Sequence, residues 1–93
     1  MEIIRIDGRN LPTREAVHDY FTTCLQLPGY YGRNLDALYD ILTERAEPTR
    51  LVICGQAALS AALGSYADAL LGTLADAAAD NPALEIAYED RQE

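Results

Sequence analysis

The sequence predicts an α/β fold, a small three-stranded parallel sheet packed with about four helices, in one domain over residues 1–93. Three short apolar segments, at about 1–7, 50–54 and 83–89, carry the strand signal. The stretches between them have helical periodicity, and helical crossovers are what parallel neighbours require. A chain of 93 residues, 49% hydrophobic and 24% charged, suits one domain with one modest core.

The elements follow in order. "MEIIRID" is rich in Ile and ends at Gly8, as a strand before a turn does. Thr13 is placed to cap a helix from Arg14, with Glu15 well set against the positive dipole end. Val17, Phe21, Cys24 and Leu25 give that helix one apolar stripe, and Pro28 with Gly29 stops it. His18, beside Asp19, reads as an exposed residue of the polar side. Asn34 caps a second helix of about 35–45, and Pro48 lies beyond its end. "RLVIC" is apolar through its length, as expected of a strand covered on both faces. After Gly55 an alanine-rich helix runs to about Leu63, where Gly64 and Ser65 break it. Ser65 is placed to cap a longer helix from Tyr66 to about Asp80, ended by Asn81 and Pro82. In "ALEIAYE", Leu84, Ile86 and Tyr88 alternate with Ala or Glu, the pattern of a third strand.

Charge narrows the function. Fifteen acids oppose seven bases, all arginine, for a net charge of −8, and from residue 55 onward Arg91 is the one base. Such a surface repels nucleic acid and anionic lipid, which are bound through Lys and Arg, and attracts a basic partner. Cys24 and Cys54 both read as small core residues. One His and no CxxC argue against a metal site, and no cofactor motif is present. No leader pattern and no run near ~20 apolar residues occurs, so a cytoplasmic chain without a membrane span is expected.

The second helix holds the main anomaly. Leu35, Leu38, Ile41 and Leu42 share one side, while Asp36, Asp40, Thr43 and Glu44 share the other, with Tyr39 at the border. Like charges four residues apart oppose each other by a few tenths of a kcal/mol. The helix dipole favours Asp36 in the first turn but does nothing for Asp40. The longer helix repeats the pattern: Asp68, Gly72, Asp76 and Asp80 recur every fourth residue on its polar side. Gly72 within a helix costs about 1 kcal/mol relative to Ala, and a bare position there lets another surface come close. A solvated acidic face is the plainest reading, and Tyr30 and Tyr31 fit a core or a turn equally well. An enzyme would use Asp36 and Asp40 as an acid/base or metal pair, but no nucleophile–His arrangement, phosphate loop or HExxH accompanies them.

"LPGYYGRNLDALYDIL", residues 27–42, resembles the signature of the barstar family of barnase-type ribonuclease inhibitors, through Leu27, Pro28, Tyr30, Tyr31, Gly32, Asn34, Leu35, Asp36, Ala37, Leu38 and Asp40. The order of elements and the length match over nearly the whole chain. The resemblance implies an intracellular, non-catalytic immunity partner whose loop and following helix fill the basic active-site cleft of an extracellular-type or toxin ribonuclease. It implies Asp40 as central anchor, Asp36 as companion, Tyr30 over the nuclease's catalytic His region, and Gly32 and Asn34 as close backbone and amide contacts. Tyr39 stands where the best-known member has Trp, while Asp76 falls where an acidic contact is found and Asp80 lies near a further one. Arg33 departs from the pattern, since the familiar inhibitor carries an acid there. It points to a partner with a matching carboxylate, or to a barstar-like binding module whose basic partner is not a ribonuclease. "TERAEPTR" is also about one residue short, with Arg45 in place of an aromatic.

Overall fold

The computed structural model describes residues 1–89; Arg91 lies outside the described residues. Strands β1 (Glu2–Asp7), β2 (Thr49–Cys54) and β3 (Leu84–Tyr88) form one parallel sheet in that order. Helices α1 (Arg14–Leu25) and α2 (Leu35–Glu44) connect β1 to β2, and α3 (Gln56–Leu63) and α4 (Ser65–Asp80) connect β2 to β3. A single 3-10 turn, Gly8–Asn10, follows β1. The small parallel α/β expectation holds.

Strand order 1-2-3 decides where the helices go. Two right-handed crossovers that step in the same direction place all their helices on one face of the sheet. The register aligns Ile4 with Leu51 and Ile86, and Ile6 with Ile53, on that face. Phe21, Leu38, Leu42, Leu59, Leu70 and Leu74, from all four helices, pack there and are fully buried.

On the other face Ile3, Arg5, Arg50 and Glu85 are exposed, so β2 is not sandwiched between helices as its apolar run suggested. Val52 and Cys54 are nevertheless buried. Their cover is side-chain: Arg5 reaches across β2 to Glu89 at 2.8 Å, and Arg50 pairs with Glu85 at 2.9 Å. The alkyl stems of such residues shield apolar surface while their charges stay in water.

The helix ends show where local sequence decides. Thr13 caps α1 through a 3.0 Å bond from the Ala16 N–H, and Asn34 caps α2 through a 2.8 Å bond from the Ala37 N–H. Ser65 does not cap α4 as expected; the cap is Gly64, at φ 58°, ψ −133°, with no side-chain bond. Only glycine holds that conformation without strain, so the chain reverses at Gly64 and the helix starts one residue sooner. Asn81 closes the other end and also reaches α2: its Nδ2 donates to the carbonyls of Leu42 at 2.8 Å and Arg45 at 2.9 Å. Those carbonyls sit at the end of α2, where the Leu42 carbonyl has only a 3.4 Å bond from the Arg45 N–H and the helix supplies no further donors.

Candidate functional site

The segment between α1 and α2 is bounded by two residues in the left-handed region, Gln26 at φ 54° and Arg33 at φ 57°. A side chain there is uncommon and must be held by its surroundings. Gln26 is held as the α1 terminus, its N–H bonding the Thr22 carbonyl. Arg33 is held by its side chain, whose Nη2 lies 2.6 Å from Asp19 Oδ1 and also donates to the Glu15 carbonyl at 3.4 Å. Arg33 is therefore not a free cation in an acidic patch; it fastens the loop to α1.

The two tyrosines separate. Tyr30 is 89% exposed, whereas Tyr31 is buried. The Tyr31 hydroxyl lies 2.7 Å from Nδ1 of His18, and the Tyr66 hydroxyl 2.7 Å from Nε2. His18 is thus a correction: it is 3% exposed and belongs to the interior. The helical wheel held a signal for this, because His18 lies seven residues before Leu25, only about 20° away around the helix. Burial, then the charge of Arg33, lowers the His18 pKa, with Asp19 opposing. Burial also pushes the Tyr31 phenol up to about 12. Nothing in the sequence marked Tyr66 as a partner of either.

Behind Tyr30 a groove of about 330 Å³ opens between the loop and α2, lined by Leu27, Pro28, Gly32, Ala37 and Ile41, with Asp40 and Glu44 also on its wall. Gly32 is tightly seated, since a Cβ there would come within 3.3 Å of both Ala37 Cβ and Asn34 Nδ2. Asp36 and Asp40 are exposed.

Tyr39 joins this surface to α4. Its hydroxyl donates to Asp80 Oδ2, and that bond, followed by partial burial and the negative charges of Asp80, Asp76 and Asp40, raises the phenol pKa. The structure therefore brings Tyr39, Asp40, Asp76 and Asp80 together around one hydroxyl. Asp36 lies one turn before Asp40 on the same helix. Asn34 caps that helix, and Arg33 is drawn off toward α1. Arg45, where an aromatic is absent, is structural: it bonds Glu2 and donates to Thr49 Oγ1 at 2.7 Å, tying the end of α2 to β1 and β2.

Chemically the surface can present carboxylates to cations. Among the described residues no group of three or more His, Cys, Asp and Glu is arranged to hold a metal ion, and no helix is long and apolar enough to cross a membrane.

Comparison with known proteins gives this geometry a family. A family model described as Barstar (barnase inhibitor) matches residues 1–89. The chain is also 44% identical over 78 residues to a protein of Bacillus subtilis (strain 168) named "Putative ribonuclease inhibitor YrdF", covering 83% of this chain and 86% of that one. With the motif of residues 27–42 and the parallel three-stranded fold, these matches establish that the chain belongs to the barstar family.

Proposed function

We propose that this chain is a non-catalytic protein inhibitor of a ribonuclease, acting in the cytoplasm by filling a basic active-site cleft with its loop and α2. The observation that carries the reading is a preorganised acidic face: exposed Asp36 and Asp40 on a capped helix, tied through Tyr39 to Asp80 of α4, beside the exposed ring of Tyr30. Carboxylates fixed on a packed helix lose little entropy on binding. They make charge-assisted hydrogen bonds to guanidinium and ammonium groups, and the like-charge repulsion of the free protein is relieved as they do so. Asp40 is the anchor, Asp36, Asp76 and Asp80 surround it, and Tyr30, Gly32 and Asn34 provide the close contacts of the loop.

A basic partner other than a ribonuclease drew its support from an unmatched cation at position 33. The pairing of Arg33 with Asp19 weakens that support. Asp40→Ala should weaken inhibition of a barnase-type ribonuclease far more than it changes the unfolding midpoint. Equal losses in both would remove Asp40 from the site. Association should slow steeply as salt is added, because screening shortens the reach of the acidic face to about 8 Å at physiological ionic strength.

A further inference from the structure

Tyr31, His18 and Tyr66 form one hydrogen-bonded chain through three parts of the fold: the loop before α2, the middle of α1 and the first turn of α4. The rings also lie close, tilted at 52° with centroids 5.8 Å apart for His18 and Tyr31, and edge-on at 70° with centroids 6.4 Å apart for His18 and Tyr66. The acidic face makes no use of this chain, yet the chain holds the loop from behind.

Burial fixes the order of donation. A neutral imidazole offers one N–H and one bare nitrogen. Tyr31 is 7% exposed, and the imidazole is the hydrogen-bond partner of its hydroxyl. Were Tyr31 to accept from Nδ1–H, its own hydroxyl proton would be left in a dry interior, the costly arrangement for a donor. Donation to a bare Nδ1 avoids this. Tyr66 is only half-buried, so it accepts from Nε2–H and turns its own proton to water. The protons therefore run from Tyr31 to His18 to Tyr66.

Adding a proton to His18 breaks this order on one side only. The new Nδ1–H can only donate to the Tyr31 oxygen, so the Tyr31 hydroxyl proton loses its acceptor and is left unpaired in the interior, while the bond to Tyr66 is untouched. The charged neighbours come from each element packed on the ring. Arg33 of the loop opposes the proton, while Arg14 of α1 lies over the Tyr66 ring, its guanidinium carbon 4.5 Å from the centroid. Asp19 of α1 favours it but is already paired with Arg33, and α4 presents the neutral Tyr66.

We propose that His18 and Tyr66 are positioning residues for the loop bearing Tyr30, Gly32 and Asn34, locking it for binding while His18 is neutral and releasing Tyr31 when His18 takes up a proton. This rests on the reading of the loop as an inhibitory surface and adds control by pH to it.

Two measurements on the free, full chain test the chain of bonds directly. Ring nitrogen NMR of His18 should find Nδ1 bare and Nε2 protonated near neutral pH; a bare Nε2 would overturn the assignment. Hydrogen exchange of residues 30–34, corrected for intrinsic rates, should rise several-fold in Tyr66→Phe, with β2 amides held within about twofold. It should also rise in the wild type between about pH 7.5 and pH 5.5 and stay flat in His18→Gln. Unchanged loop exchange in Tyr66→Phe, or a pH response that survives in His18→Gln, would overturn the proposal. With barnase as probe, inhibition by Tyr66→Phe should be several-fold weaker than by the wild type. A wild-type protein with no hold on barnase counts against the ribonuclease reading instead, and loop exchange decides the positioning role in either case.

Discussion

Arg33 Nη2 lies 2.6 Å from Asp19 Oδ1, so the one basic side chain between Leu25 and Arg45 is neutralised within the chain before any partner arrives. Both side chains are well exposed, and such pairs contribute about 0–1 kcal/mol. Asp19→Asn should therefore leave the unfolding midpoint nearly unchanged. It should slow association with a basic ribonuclease, because it uncovers a cation beside Asn34 and removes one carboxylate. Stopped-flow association rates at low salt check this. A rate equal to the wild type would show that the charge of Arg33 is not felt at the interface.

Asn81 supports a larger effect from a less conspicuous residue. It is 6% exposed and donates to the carbonyls of both Leu42 and Arg45. Asn81→Ala takes the side-chain donor from the Arg45 carbonyl and leaves the Leu42 carbonyl with only the 3.4 Å bond from the Arg45 N–H, and a buried unsatisfied group costs about 1–3 kcal/mol. Urea unfolding should show a loss of about 1 kcal/mol or more. Because α2 carries Asp36 and Asp40, inhibition should weaken with it. A loss below about 0.5 kcal/mol would mean that water replaces the amide at no cost.

Stability should depend on pH through His18. Its folded pKa lies below the ordinary value because burial, then Arg33, disfavours the cation. As pH falls below about 6.5 the unfolded chain takes up a proton that the folded chain refuses, so stability is full above that pH and declines beneath it. The Asp7 carboxyl, held low by its hydrogen bonds from Arg9, has the same sign, but its contribution is lost only at pH values below the ordinary carboxylate range. Urea midpoints between about pH 7 and pH 5 thus isolate the histidine. His18→Gln should flatten this slope, and an unchanged slope would assign it elsewhere.

Most of the fold was legible because period and punctuation agreed. Thr13 and Asn34 cap where expected, and the third strand, expected at 83–89, is Leu84–Tyr88. What escaped were features decided by distant segments. The 3-10 turn after β1 rests on a close passage in which a Cβ on Gly8 would come 2.2 Å from the Gly55 carbonyl, across 47 positions. The cover over Val52 and Cys54 depends on Arg5 finding Glu89. In the candidate site, the acidic spacing of α2 and α4 was readable, but the link between them was not. Tyr39 and Asp80 meet only because α2 packs on α4. His18 is polar yet lies on the buried side of α1, where polarity alone points the wrong way, and which of Tyr30 and Tyr31 faces outward depends on that same histidine.

Gly72 separates what α4 does for the fold from what it does for a partner. It lies one turn before Asp76 on the exposed face, and a Cβ built on it meets nothing within 4 Å. Its backbone is ordinary helix, so alanine fits without strain. Gly72→Ala should stabilise the free protein by about 0.5–1 kcal/mol, since glycine loses more backbone entropy and leaves the helix less well shielded. A methyl group on this face also stands between Asp68 and Asp76, where a close-lying partner would press. If α4 contributes Asp76 and Asp80 to the interface, the same variant should bind a barnase-type ribonuclease several-fold more weakly while unfolding at a higher temperature. Calorimetric unfolding and titration of the complex give the two readouts. Opposite changes in stability and affinity are the mark of a position left bare for binding, whereas a stabilised protein of unchanged affinity would confine the interface to the loop and α2.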